Sequence, residues 1–179
     1  MRMYHMIQDC TSYRVLRVFL DYPTRHFQLR EICRLLKMGM PSVRSHVRRL
    51  EREGFVKKEK HGVYESYVST RNELFKLYKR NDILLRLHES GLISFLADKF
   101  VPDCMTLFGS ASRGEDVEDS DMDLLIVAKE RKAELKEFED KIRRKISLHF
   151  EDKLSDIPRE LLNNVANGIV VYGYLEVFE

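Results

Sequence analysis

Apolar residues recur at helical spacing through the first third of the chain, alternate through a short stretch after it, and then gather into brief runs nearer the end. Tyr13, Leu16, Val18, Phe19 and Leu20 predict a helix over Thr11 to Leu20, which Asp21-Tyr22-Pro23 stops. Leu29, Ile32, Leu35 and Leu36 predict a second in QLREICRLLKMG, ended by Gly39. A third starts at Met40-Pro41-Ser42, where a proline suits the first helical turn, and is closed by Gly54. Its Val43, Val47 and Leu50 turn inward, leaving Ser42, Arg44, Ser45, His46, Arg48 and Arg49 on the other faces. The alternation in FVKKEKHGVYESYVS predicts a two-stranded hairpin about Gly62.

Leu74, Leu77, Leu84 and Leu87, then Leu92, Phe95 and Leu96, predict two more helices joined near His88 to Gly91. The stretch MTLFGSASRGEDVEDSDMDLLIV follows. It sets a Gly109-Ser110 turn after one apolar strand and puts Asp121 and Asp123 at the head of another. A helix in RKAELKEFEDKIRRK buries Leu135, Phe138 and Ile142, a strand runs from Ile146 to Phe150, and Ile169, Val170 and Val171 predict a last strand before Gly173.

The net charge of +2 hides a division. Arg25 to His61 carries eleven Lys or Arg against four Asp or Glu, a balance of +7, whereas Val101 to Glu179 carries eleven against eighteen, a balance of −7. Opposite signs imply different partners, and the basic segment suits a polyanion. With 179 residues the expectation is an α+β chain of two small domains, 1–70 and 101–179, with a helical connector over 71–100. Cys10, Cys33 and Cys104 are too few and too far apart for a disulfide framework or a zinc-ligand spacing, so reduced thiols are expected. No apolar run approaches the roughly 20 residues of a membrane span, and Met1 to Cys10 lacks the apolar core of a secretory signal, so the expected location is the cytoplasm.

The chemistry concentrates between Met105 and Val127. Gly109 lets the backbone approach a ligand, and the N–H groups of its turn and the following helix start suit phosphate oxygens. Asp121 and Asp123, two apart, point to one face and can share divalent metal ions. Gly109-Ser110, ten intervening residues and Asp121-Met122-Asp123 resemble the signature of the minimal nucleotidyltransferases, small members of the DNA polymerase β superfamily; Arg113-Gly114 and Ser120 fit the same pattern. The resemblance implies a mixed β-sheet flanked by helices and a transfer of NMP from an NTP, with ATP expected, to a hydroxyl. Asp121 and Asp123 would hold Mg2+, or Mn2+, while Gly109 and Ser110 would bind the phosphate tail. Arg113 would add charge there, and Ser120 would cap the loop that orients Asp121. Family members carry a third carboxylate on the next strand, where this sequence has Ser147. Either His149 or Glu151, on the same strand face by parity, compensates for it, or catalysis is impaired.

Residues 9–70, and REICRLLKMGMPSVRSHVRRLEREGFV within them, resemble the winged helix-turn-helix domains of archaeal and bacterial DNA-binding regulators. By that resemblance the third helix enters the major groove of double-stranded DNA with Ser42, Arg44, Ser45 and Arg48, while Lys57, Lys58, Lys60 and His61 bring the wing to the phosphates. A homodimer is implied, since such regulators read two-fold sites. Three functions compete: a DNA-binding, metal-dependent nucleotidyltransferase; a transcriptional regulator whose degenerate transferase domain senses nucleotide without turnover; and an antitoxin-type nucleotidyltransferase that modifies a HEPN-type partner. Intact Asp121 and Asp123 favour the first and third, and Ser147 the second.

Overall fold

The computed structural model describes residues 10–153 and 157–175. Residues 1–9, where the absence of a signal segment was read, and 176–179, the end of the expected last domain, lie outside the described residues, as does the side chain of the wing candidate His61. The chain forms two compact units divided between Lys76 and Leu77.

In the first unit α1 (Thr11–Asp21), α2 (Leu29–Leu36) and α3 (Met40–Arg52) share an apolar core, followed by the antiparallel strands β1 (Val56–His61) and β2 (Tyr64–Ser69). Val15, Phe19, Phe27, Ile32, Val43 and Val47 are fully buried, and each such side chain contributes about 1.5–3 kcal/mol relative to exposure. Phe27 meets Phe19 edge-on at 5.7 Å between ring centroids. Its backbone exchanges two 2.8 Å hydrogen bonds with Tyr67, tying the α1–α2 connection to β2. Gly62, at φ 65°, takes the first place of the two-residue turn between His61 and Tyr64, a place that needs positive φ in hairpins of this hand.

Two details of α2 differ from the sequence reading. The helix ends at Lys37, which adopts the left-handed conformation at φ 52°, while Gly39 is extended and precedes α3. Leu35 is half exposed rather than inward, because each residue advances about 100° around a helix and Leu29, Ile32 and Leu36 already occupy the buried face.

The division between the units falls within α4 (Glu73–Glu89), and the segment expected to connect two domains supplies core residues to both. Phe75 belongs to the first core; Ile83, Leu87, Leu92, Leu96 and Phe100, the last three on α5 (Leu92–Phe100), belong to the second. The expected stripe on α4 is corrected. Leu74 and Leu77 are exposed, and the inward face runs Phe75, Lys79, Asp82, Ile83, Arg86 and Leu87. Half of those positions are charged, which disguises the helical period.

The rest of the second unit alternates strand and helix: β3 (Cys104–Phe108), α6 (Gly109–Arg113), β4 (Met122–Val127), α7 (Lys136–Ile142), β5 (Ile146–Glu151), α8 (Arg159–Ala166) and β6 (Ile169–Gly173). The sheet order is β5-β4-β3-β6, with β4 and β5 parallel and the other neighbours antiparallel. Side chains alternate across it. Met105, Leu107, Met122, Leu124 and Ile126 join α4 and α5 on one face, and Cys104, Phe108, Leu125 and Val127 meet Ile157 and Val165 on the other. α7 is shorter than its periodicity suggests: Ile142 is fully buried, while Leu135 and Phe138 are half-buried against the same core.

Candidate active site

Strand β3 delivers Gly109 directly against the head of β4. Phe108 pairs with Asp123, Gly109 turns at φ 74°, and a Cβ placed on it would lie 2.8 Å from Asp123 Oδ2. Only a residue without a side chain leaves that carboxylate where it is. The Ser112 hydroxyl donates to the Gly109 carbonyl at 2.8 Å, and the Glu115 N–H donates to the Ser110 carbonyl at 2.9 Å, so the short α6 is closed at both ends. Its first N–H groups precede the intrahelical ladder.

The loop from Gly114 to Asp121 is braced by Ser120. Its hydroxyl accepts the Val117 N–H at 2.9 Å, and its own N–H donates to the Val117 carbonyl at 3.0 Å. Asp121 is exposed just ahead of β4, Met122 between the acids is buried, and the Met122 N–H donates to the Lys145 carbonyl at 2.9 Å.

The parallel neighbour β5 sets Ser147 directly opposite Asp123. Two positions on, His149 turns back over the same point. Its Nε2 lies 3.3 Å from Asp123 Oδ1 and 3.2 Å from Ser147 Oγ, and its ring meets Phe108 at 5.2 Å between centroids. Glu151 is not brought to the pair. It stands opposite Val127 at the far end of β4, about 13 Å along the strand from Ser147 at ~3.3 Å per residue. Arg113 is half exposed and its Nε donates to Glu115 at 2.9 Å, so its guanidinium is engaged beside the turn. Among the described residues no cluster of three or more His, Cys, Asp or Glu side chains gathers as a metal-binding group.

Sequence reasoning missed a buried ionic cluster under this loop. Lys79 on α4 donates to the Asp116 carbonyl and lies 3.2 Å from Asp116 Oδ2, while Arg144 Nε approaches the same oxygen at 3.7 Å. Arg86 pairs with Asp82 and donates to the Ile142 carbonyl at 3.2 Å. The signal was present as charges at inward helical spacing on α4, but an isolated charge on a helix reads as solvated until its partner is located. Desolvation pushes the Lys79 ammonium below the usual lysine range, an effect that the Asp116 carboxylate opposes.

In the first unit Ser42, Arg44, Ser45 and Arg48 are all exposed on α3. Arg44 and Arg48 line a shallow groove with Met40, Pro41, Ser45, Glu51 and Arg52. Arg49 is turned to Glu53, its Nε donating at 2.7 Å. The hairpin lysines are less free than the sequence implies: Lys57 pairs with Glu59 at 2.6 Å and Lys58 with Glu65 at 2.7 Å, while Lys60 is exposed. The Glu65 carboxylate beside Lys58 holds its ammonium above the usual lysine range. Exposed pairs of this kind are weak and yield to a competing anion.

A glycine turn pressed on a strand-head carboxylate, in a mixed sheet with helices on its faces, is consistent with a nucleotidyltransferase fold. Residues 91–175, from the start of α5 through β6, match the family described as Polymerase beta, Nucleotidyltransferase, which supports a domain of the nucleotidyltransferase superfamily in this part of the chain. No curated protein and no solved structure matches the chain. No described helix is long and apolar enough to cross a membrane.

Proposed function

We propose that the protein is a metal-dependent nucleotidyltransferase that also binds DNA, moving a nucleoside monophosphate from an NTP to a hydroxyl acceptor. The observation that carries the reading is the approach of Gly109 to Asp123, which joins a phosphate-binding turn to a carboxylate within one site. The donor set fits a hard divalent cation, since Asp121 and Asp123 offer charged oxygens at an accessible strand head and Mg2+ prefers one or two carboxylates plus substrate phosphates. Bound there, Mg2+ would supply charge stabilisation for in-line displacement at the α-phosphorus. Gly109 and Ser110 hold the phosphate tail through backbone N–H groups and the Ser110 hydroxyl. His149, in contact with Asp123 and two positions on from Ser147, where the family resemblance calls for a third acid, orients that carboxylate. Incubating the purified protein with each α-labelled NTP and Mg2+, with and without cell extract, tests the reading: label should move to an acceptor, and its failure to move with every NTP would refute transfer.

The first unit supports the DNA-binding half. Its three helices and hairpin carry the charge and order of a winged helix-turn-helix, and α3 would lie in the major groove with Arg44 and Arg48 toward the bases. A wild-type protein that binds no duplex at low salt would make this unit a protein-contact module instead. One observation favours a second reading, a regulator that senses nucleotide without turnover: the residue opposite Asp123 is Ser147, which brings no charge. Mg-ATP binding without label transfer would select it.

A further inference from the structure

Asp116 lies midway between the phosphate-binding turn and the carboxylate pair, yet its side chain points into the protein and is 2% exposed. It meets Lys79 from α4 on one side and Arg144, just ahead of β5, on the other. The Lys79 ammonium also donates to the Asp116 carbonyl, so backbone and side chain of one residue are fastened together. The grip reaches both flanks of Asp121. Asp116 begins the loop that Ser120 closes, and Arg144 adjoins Lys145, whose carbonyl accepts the Met122 N–H.

Stability alone accounts poorly for this arrangement. Burying ions costs several kcal/mol each, and well-packed apolar replacements of buried ion pairs are often neutral or stabilising. Asp116 Oδ1 has no hydrogen-bond partner among the described residues, which adds to the cost. The lowered Lys79 value says the same, since desolvation outweighs its partner's attraction. What charges supply and apolar contacts do not is a fixed direction. An apolar packing tolerates sliding, whereas a lysine bonded to both a carbonyl and a carboxylate of one residue fixes where that residue stands.

We propose that Asp116, clamped by Lys79 and Arg144, is a positioning residue that sets the Gly114–Asp121 loop so that the Asp121 carboxylate stands where it would hold a divalent cation beside the phosphates at Gly109 and Ser110. This rests on the transferase reading above. It assigns to α4 a part in the site, although α4 carries none of the residues that would touch substrate.

The test replaces the clamp by apolar groups in the full chain, with Lys79→Met, Asp116→Leu and Arg144→Met combined so that no member of the cluster is left buried without the others. Urea unfolding should give a midpoint equal to or above wild type. In that folded variant kcat for label transfer should fall about 100-fold, as for a misplacement of roughly 1 Å, with KM for the NTP within about threefold because Gly109 and Ser110 are untouched. Amide hydrogen exchange over residues 115–121 should be faster than in wild type while exchange in β3 and β4 is unchanged. A folded variant with wild-type kcat, or with wild-type exchange in that loop, overturns the proposal. Should the variant unfold, Lys79→Arg keeps the charge and must retain slow loop exchange and at least about a third of wild-type kcat, and fast exchange there overturns the clamp. A wild type that transfers no label refutes the transferase reading separately, and loop exchange then decides the clamp alone.

Discussion

At the scale of single residues, Gly109 and His149 carry the most specific consequences. A Cβ at Gly109 meets Asp123 Oδ2 at 2.8 Å, and its φ of 74° is one that alanine adopts at a cost of about 1–2 kcal/mol. Gly109→Ala should therefore lower the unfolding free energy by about that amount and, by displacing the Asp123 carboxylate, weaken Mg-ATP binding more than tenfold, which calorimetry would read. His149 touches Asp123 without itself being an acid. Groups that orient a ligating carboxylate typically change metal affinity or activity by about 10–100-fold when removed, so His149→Ala should reduce label transfer by that factor. Glu151→Gln should leave it unchanged, because β5 carries Glu151 to the far end of the strand. Ser147→Asp restores a charge opposite Asp123. Increased transfer in that variant marks the native site as short of an acid, whereas unchanged or reduced transfer together with the His149→Ala loss marks it as complete.

Among elements, α3 and the β1–β2 hairpin would play distinct parts in the proposed binding of DNA. Arg44 and Arg48 project from α3 beside Ser45, whereas Lys57 and Lys58 reach from a strand and are each paired with a glutamate. If the lysines meet phosphates, their replacement by Ala should weaken binding to every duplex alike and lower the slope of log affinity against log salt by about 1 per contact. Since Glu59 and Glu65 must release the lysines first, Glu65→Gln should raise affinity at low salt. Arg44→Ala should instead change which sequences are preferred, as measured by binding to a random duplex pool. A slope unchanged in the lysine variants would move the phosphate contacts elsewhere.

For the whole molecule the two candidate sites fall in different compact units, and the second unit is built around buried charge. Each site should tolerate loss of the other: Asp121→Asn with Asp123→Asn should abolish Mg-ATP binding and leave duplex affinity as it was. The buried charge also sets an alkaline dependence of stability. Lys79 has its value lowered from 10.5 by burial. Below the lowered value the amine is charged in both states and the burial penalty is fully present. Between that value and 10.5 the folded protein has released a proton that the unfolded chain still holds, so stability rises with pH. Cys104 works in the opposite sense, because burial raises its thiol above 9.0 and the unfolded chain ionises first. Comparing wild type with Lys79→Met isolates the lysine: the difference in urea midpoint, variant minus wild type, should shrink as pH approaches 10.5, and a difference independent of pH would mean the amine is not desolvated.

Much was decided by the sequence alone, because local rules act over a few residues. The spacing of Val43, Val47 and Leu50, the alternation about Gly62 and the apolar runs either side of Gly109-Ser110 each specify an element through its own period, and the interval to Asp121 and Asp123 marks the two halves of the proposed site. Tertiary structure decided what depends on partners distant in sequence. Leu74 and Leu77 look like a buried stripe, yet Lys79, Asp82 and Arg86 face inward because Asp116 is there to receive Lys79, and Asp82 with the Ile142 carbonyl to receive Arg86. Parity allowed both His149 and Glu151 as substitutes for the missing acid, and only the parallel register of β4 with β5 set His149 on Asp123 and carried Glu151 away. Periodicity reports which face of an element is apolar, while the register between elements determines which polar group meets which, and that information is distributed over the whole folded chain.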